Sequence, residues 1–344
     1  MRPVRAGGGP PSPVRRIAVP QAIDAADLDR PGPGAQRFSF GGDTMGTTWS
    51  VHFYAPFDFT PGFLLADIEL LLDDTIRQMS LWAPDSDINV FNRASVGRWV
   101  ALPRLFFGVL EAALAVATET DGAFDPAMGA LADLWGFGPS KAGAAPDGWR
   151  VNQARGPSWR DLELDPETRR VRQPGGLTLD LNAIAKGDAV DRLGALMNAA
   201  GLRVWLAEIG GELRGRGRKP DGSPWWARLE TGPDAETEGA IIAALSGWSV
   251  ATSGAYRRRL QDEGRTRTHI IDPLSGSAWQ GALDAVTVLD PTCARADALA
   301  TALMVMGAER GLAFAEARNI PALFTGAAGE AASPALQAML EDDG

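Results

Sequence analysis

Asp297 and Thr301, in "ADALATAL", stand four residues apart, so on a helix they share one face. Their neighbours Ala296, Ala298, Leu299, Ala300, Ala302 and Leu303 are apolar, and a carboxylate buried among them needs a partner. A hard cation is one such partner. Mg2+ takes oxygen ligands, with one or two carboxylates and substrate phosphates filling its octahedron. A second reading needs no ligand: Asp297 faces the positive helix start and Thr301 bonds back to the preceding turn. Spacing alone favours the second, because no third ligand follows in sequence.

His269, in "THIIDPLSG", is one of two histidines. It follows a basic stretch (Arg257 to Arg259, Arg265, Arg267) and precedes the turn-prone Asp272-Pro273. It reads either as a base or as a polar residue at a strand end. His52, in an alternating strand pattern, is the internal comparison.

Three more stretches carry candidate ligand contacts. In "LDLNAIAKGDAVDRL" a strand ends at Asp180, a tight loop follows and a helix begins near Ile184. Backbone groups there can meet an anion or a metal, and Lys186 can neutralise phosphate charge. Asp180 alone reads best as a cap. The GxxxxGK[ST] pattern of a P-loop is absent. In "GGDTMGTTWS", Met45 and Gly46 can form a wall against a flat ring. In "SLWAPDSDINVFNR", Trp82 can stack on a ring or cover the core edge; "GAFDPAMGALADLWGFG" sets Asp125 beside Phe124.

The elements that must position these residues follow from periodicity. Residues 47–55 alternate as a strand; 63–82 and 102–120 show helical spacing. Residues 121–140 read as a structured loop with a short helix, and 139–160 as a surface loop. Residues 176–201 run strand, loop, helix; 203–230 are strands with Gly-Gly and Pro-Asp-Gly turns; 241–254 are two short strands. Residues 285–317 run strand then long helix, and 320–326 form a final strand. Strands and helices alternate only in part, which predicts an α+β or mixed α/β fold with mixed or antiparallel sheets flanked by helices.

The chain has 344 residues, enough for one large domain or two coupled ones. A net charge of −10 argues against a general nucleic-acid binder, and no apolar run approaches the roughly 18–20 residues of a membrane span. The single cysteine, Cys293, excludes an intrachain disulfide and reads as small-residue packing at a helix start. Residues 1–36 are rich in Pro, Gly and Arg and read as an irregular tail, leaving 37–344 as one domain or two lobes around a ligand. "IAVPQAI" fails as a secretory signal, so the expected location is the cytoplasm.

Taken together, "TMGTTWSV", "SLWAPDSDINVFNR", "GAFDPAMGALADLWGFG", "LDLNAIAKGDAVDRL", "EIGGELRGRGRKPDGSPW", "SVATSGAYRR", "THIIDPLSG" and "ARADALATALMVMG" resemble, in order, the ApbE-type FAD:protein FMN transferases. The resemblance covers about residues 40–325 and implies the flavin transferase fold. It implies Mg2+-dependent transfer of the FMN half of FAD to a Thr or Ser hydroxyl of an acceptor flavoprotein carrying a Ser/Thr-Gly-Ala-Ser/Thr-like motif, with release of AMP. By position, Asp297, Thr301 and the backbone of Ala183 match metal ligands. Met45, Trp82, Ala123, Phe124, Asp125, Asp180, Lys186 and Ile271 match FAD contacts, and His269 matches the proton acceptor. Many relatives act outside the cytoplasm, which makes the periplasm the alternative location. Three departures stand out: Trp82 replaces a common Tyr, Asn182-Ala183 replaces a frequent Gly-Gly, and Ala255 replaces a frequent Asp. The same ligands would serve an FAD pyrophosphatase yielding FMN and AMP, or a non-catalytic FAD-binding protein.

Overall fold

The computed structural model describes residues 16–140, 146–230, 240–256, 259–262 and 265–340. From the amino end, β1 (Arg16–Ala18), β2 (Gln36–Thr44) and β3 (Thr47–Ala55) lead into α1 (Pro61–Met79) and α2 (Asp87–Asn92). Next come β4 (Trp99–Ala101), α3 (Arg104–Glu119), α4 (Gly129–Leu134) and α5 (Gly148–Ala154). β5 (Glu163–Asp165), β6 (Arg170–Arg172), α6 (Ala185–Ala199), β7 (Trp205–Ile209), β8 (Glu212–Arg216) and β9 (Trp225–Arg228) continue the chain. β10 (Ile241–Leu245), β11 (Ser249–Gly254), β12 (Arg259–Asp262), β13 (Arg265–Thr268) and β14 (Leu283–Asp290) precede α7 (Cys293–Ala317). β15 (Ala322–Gly326), β16 (Gly329–Ala332) and α8 (Pro334–Gln337) end the described chain.

The architecture is the expected mixed α/β type. An eight-stranded sheet runs β16-β15-β14-β11-β8-β7-β3-β2, and all its pairs are antiparallel. β3 shows why alternation predicts it: Trp49, Val51, Phe53 and Ala55 are buried while the residues between them are not. α6 and α7 pack on this sheet through small residues. A Cβ at Gly187 would sit 2.4 Å from the carbonyl oxygen of Cys293, so glycine is what lets the two helices approach. The closest part of that contact is where the candidate site lies.

Four readings change on the structure. Residues 16–36 are not an irregular tail: β1 adds in parallel to β10, and the segment after it is stitched down. Val19 donates to the Met339 carbonyl, Trp248 donates to the Ala22 carbonyl, and the Arg216 guanidinium donates to the Ala26 carbonyl. Proline-rich composition says nothing of such distant donors. Residues 1–15 lie outside the described residues.

Residues 176–181 form no strand: Gly176 has a φ of +75°, and Thr178 makes an isolated parallel bridge to Met128. Their backbone is satisfied piecemeal: Asp180 donates to the Pro126 carbonyl, Gly129 donates to the Thr178 carbonyl, and the Asn92 amide brackets Leu179. Within 139–160 the chain forms α5, capped by Asp147, while 141–145 lie outside the described residues. Residues 320–326 form β15 but not the last strand, since β16 pairs with it.

α7 is two helical stretches joined at Gly307, whose φ of +76° only glycine tolerates freely. By length and hydropathy it would pass for a membrane span. Leu299, Leu303 and Met304 are nevertheless fully buried against the protein, as in a core helix.

On the side of α6 that faces α1 and α3, burial raises the Asp188 carboxyl to about 6, against the pull of Arg192. Its folded value therefore lies above its unfolded value. The bound proton stabilises the fold below pH 4, and that stability is lost as pH rises through 6. Asp188→Asn should raise stability by about 1–2 kcal/mol at pH 7 and leave it unchanged at pH 4. Urea unfolding at the two pH values checks this; an equal effect at both would contradict it.

Candidate functional site

The base of the site is the first turns of α7. Thr292, its N-cap, makes no side-chain cap. The cap comes instead from α6, where Asp191 accepts from the Cys293 and Ala294 N–H groups at 2.9 and 3.0 Å. Arg214 of β8 donates to the same carboxylate at 2.6 Å. One side chain thus locks helix, helix and sheet together. Cys293 sits fully buried beside it, and burial pushes its thiol well up, so it is no nucleophile.

One turn on, Asp297 is 4% exposed. Its Oδ2 accepts from the Gly187 N–H of α6 at 3.2 Å, and Lys186 Nζ lies 3.8 Å from Oδ1. Thr301 bonds across to the sheet rather than back along α7. Its Oγ1 shares a 2.7 Å hydrogen bond with Ser253 Oγ of β11. Lys186 also pairs with Glu212, a buried residue of β8, so its charge sits between two carboxylates.

Around this base opens a cleft of about 850 Å3, within the usual range for ligand pockets. Met45, Trp82, Ala123, Phe124, Asp125, Asp180, Ala183, Lys186, His269, Ile271, Asp297 and Thr301 all line it. Met45 and Gly46 form the two-residue turn of the β2–β3 hairpin, both at positive φ. Asp180 accepts from the Asn182 N–H at 2.8 Å and closes the turn before α6. Asn182 and Ala183 both lie outside the positive-φ region, so the side chains replacing Gly-Gly cost no backbone strain.

Asp125 accepts from the Ala127 N–H at 2.7 Å, yet burial raises its carboxyl to about 6. His269 follows β13 and meets the Phe137 ring edge-on, with centroids 6.2 Å apart. The turn after it is tied by Asp272, which accepts from Leu274 and Ser275, and by Trp135, which donates to the Gly276 carbonyl.

His52 lies outside the cleft. Its Nδ1 bonds Ser39, and burial, then Arg37, lower its pKa. Ala255 is buried, and its N–H donates to the Asp284 carbonyl, so a methyl group stands where an acid is frequent. Arg257 and Arg258 lie outside the described residues. Sequence reasoning missed Glu212, Ser253 and Asp191. Glu212 and Ser253 belong to strands whose partners come from distant helices, and Asp191 reads as one polar position on a helix.

The carboxylate of Asp297 and the hydroxyl of Thr301, both in the cleft lining, are oxygen donors of the kind that suit a hard divalent cation. Among the described residues no group of three or more His, Cys, Asp or Glu side chains gathers to hold a metal. An ion here would therefore keep places for a ligand's own oxygens.

A mixed α/β fold thus carries one cleft lined by a buried carboxylate and by the start of α6. The ApbE family model matches residues 45–324, and the chain belongs to that family. It is 34% identical over 314 residues to a FAD:protein FMN transferase of Vibrio cholerae, covering 89% of this chain and 92% of that one. The apo crystal structure of the Pseudomonas stutzeri flavinyl transferase ApbE is similar with a TM-score of 0.82 and 35% identity, covering 89% and 97%. The flavin transferase ApbE of Vibrio cholerae gives 0.79 and 33%, covering 88% and 99%.

Removing the Asp191 carboxylate strips two helix N–H groups and one guanidinium of their partner. Asp191→Ala should cost about 2–4 kcal/mol in chemical denaturation. A loss under about 0.5 kcal/mol would show that the cap does not fasten α7.

Proposed function

We propose that this transferase moves the FMN half of FAD onto a Thr or Ser hydroxyl of an acceptor flavoprotein, in a Ser/Thr-Gly-Ala-Ser/Thr-like sequence, with Mg2+ and with release of AMP. The observation that carries this reading is the convergence of His269, Asp297 and Thr301 on one cleft of about 850 Å3. Family membership and the names of the relatives support it.

The chemistry follows from this set. The acceptor oxygen attacks the phosphorus on the FMN side of the diphosphate. The bridging P–O bond breaks and AMP leaves with the bridging oxygen. A hydroxyl is a weak nucleophile, and His269 takes its proton as the new P–O bond forms. Asp297 and Thr301, with the Ala183 backbone, would hold Mg2+, whose charge offsets that gathering on the diphosphate oxygens. Lys186 holds the α6 start against Glu212 and Asp297. Trp82 and Met45 give apolar faces for flat rings.

The test is a mixture of the chain, FAD, Mg2+ and a domain bearing the acceptor sequence, read by mass spectrometry for added FMN and by chromatography for AMP. Labelled acceptor with one AMP per label supports the transfer. AMP without label would instead mean FAD hydrolysis, and intact bound FAD would mean a binding protein. Asp297→Ala should abolish turnover at any Mg2+ concentration, and His269→Ala should slow transfer by about 10²–10⁴-fold while sparing FAD binding. Full activity in either variant would remove the role assigned to it.

Asp125 supplies a pH signature. Its carboxyl ionises near pH 6, adding a negative charge beside an anionic substrate. FAD affinity should therefore fall as pH rises through 6, and Asp125→Asn should flatten the profile. An unchanged profile in that variant would assign the titration elsewhere.

A further inference from the structure

Trp82 is 44% exposed, so packing alone does little to hold its ring over the cleft. What holds it is its backbone. Asn89 Nδ2 donates at 2.9 Å to the Leu81 carbonyl, in the peptide group that enters Trp82, and at 2.9 Å to the carbonyl of the next residue, Ala83. A third, longer contact of 3.5 Å reaches the Ser80 carbonyl. An amide NH2 has two hydrogens, so two short bonds and one long one use its whole donor capacity. Ser86 completes the turn: its Oγ donates to the Ser80 carbonyl at 2.7 Å, and its N–H donates to the Ala83 carbonyl.

The helix carrying Asn89 is itself fixed. Ile88 and Phe91 of α2 are fully buried. Asn92 donates to the Leu179 carbonyl at 3.1 Å and accepts from the Leu179 N–H at 2.8 Å, one residue before Asp180. α2 therefore ties the Trp82 turn to the Asp180 segment, two parts of the cleft lining that are about a hundred residues apart in the chain. Asn89 itself does not line the cleft.

We propose that Asn89 is a positioning residue that sets the Trp82 wall of the cleft. The proposal rests on reading the cleft as an FAD site. A stacking ring works only where its own placement is locked by bonds behind it. Asn89 provides such bonds to the carbonyls of the residues before and after Trp82. Its action on FAD runs through Trp82 and does not touch the reacting atoms.

The test uses the full chain with Asn89→Asp, which keeps the side-chain shape but removes the NH2 donor, and Asn89→Ala. Without FAD, hydrogen exchange read by mass spectrometry over residues 80–86 should speed up in both variants. FAD binding, read by flavin fluorescence, should weaken about tenfold, and kcat at saturating FAD should change less than about twofold. The double variant Asn89→Ala with Trp82→Ala should bind FAD no worse than Trp82→Ala alone, because both act through one ring. Unchanged exchange over 80–86, or penalties that multiply in the double variant, would overturn the proposal. If the unaltered chain fails to bind FAD, the reading of the cleft falls, and the exchange result alone then decides whether Asn89 holds the turn.

Discussion

A carboxylate buried in an apolar helix is costly unless something fixed compensates it, and Asp297 is such a carboxylate. Its compensation comes from α6: the Gly187 N–H bonds it and Lys186 stands beside it. That arrangement requires α6 and α7 to approach backbone to backbone. Glycine at 187 permits the approach, and Asp191 fastens it by capping α7. The large sheet then serves as the support that holds both helices, with Ser253 and Glu212 reaching up from its strands. Remove the helix contact and the acid, the hydroxyl and the α6 start no longer face one space.

The cleft sorts its walls by physical need. Charge and hydrogen-bonding groups lie at the helix starts, where backbone N–H groups and side-chain oxygens are already placed. Apolar faces come from tight turns: the Met45-Gly46 hairpin turn and the Trp82 turn. Such turns present a side chain without burying it, so each is held by bonds to its backbone. His269 is likewise followed by a turn, tied by Trp135 and Asp272.

Much of this was legible in the sequence because it rests on local pattern. The alternation of 47–55 and the helical spacing of 63–82 and 102–120 follow from burial on one face, and the structure has β3, α1 and α3 there. The spacing of Asp297 and Thr301 placed them on one face and by itself favoured a local role over a ligand. It did not show their long-range partners, Ser253, 48 residues from Thr301, and Gly187, 110 residues from Asp297. The other losses share this cause. β1 reads as tail because its partner is β10, and 176–181 reads as strand because alternation does not show that its backbone partners are Pro126, Gly129 and Asn92 rather than a ladder. The family resemblance brought together residues that no local pattern connects.

The account stands on Asp297 and Thr301 holding a cation against the substrate's diphosphate. Anomalous diffraction from crystals grown with Mn2+ and FAD tests this most directly. The account predicts a manganese peak about 2.1–2.2 Å from an Asp297 carboxylate oxygen and from Thr301 Oγ1, with a diphosphate oxygen completing its shell. A peak elsewhere, with Asp297 bonded only to Gly187 and Lys186 while FAD fills the cleft, would contradict it.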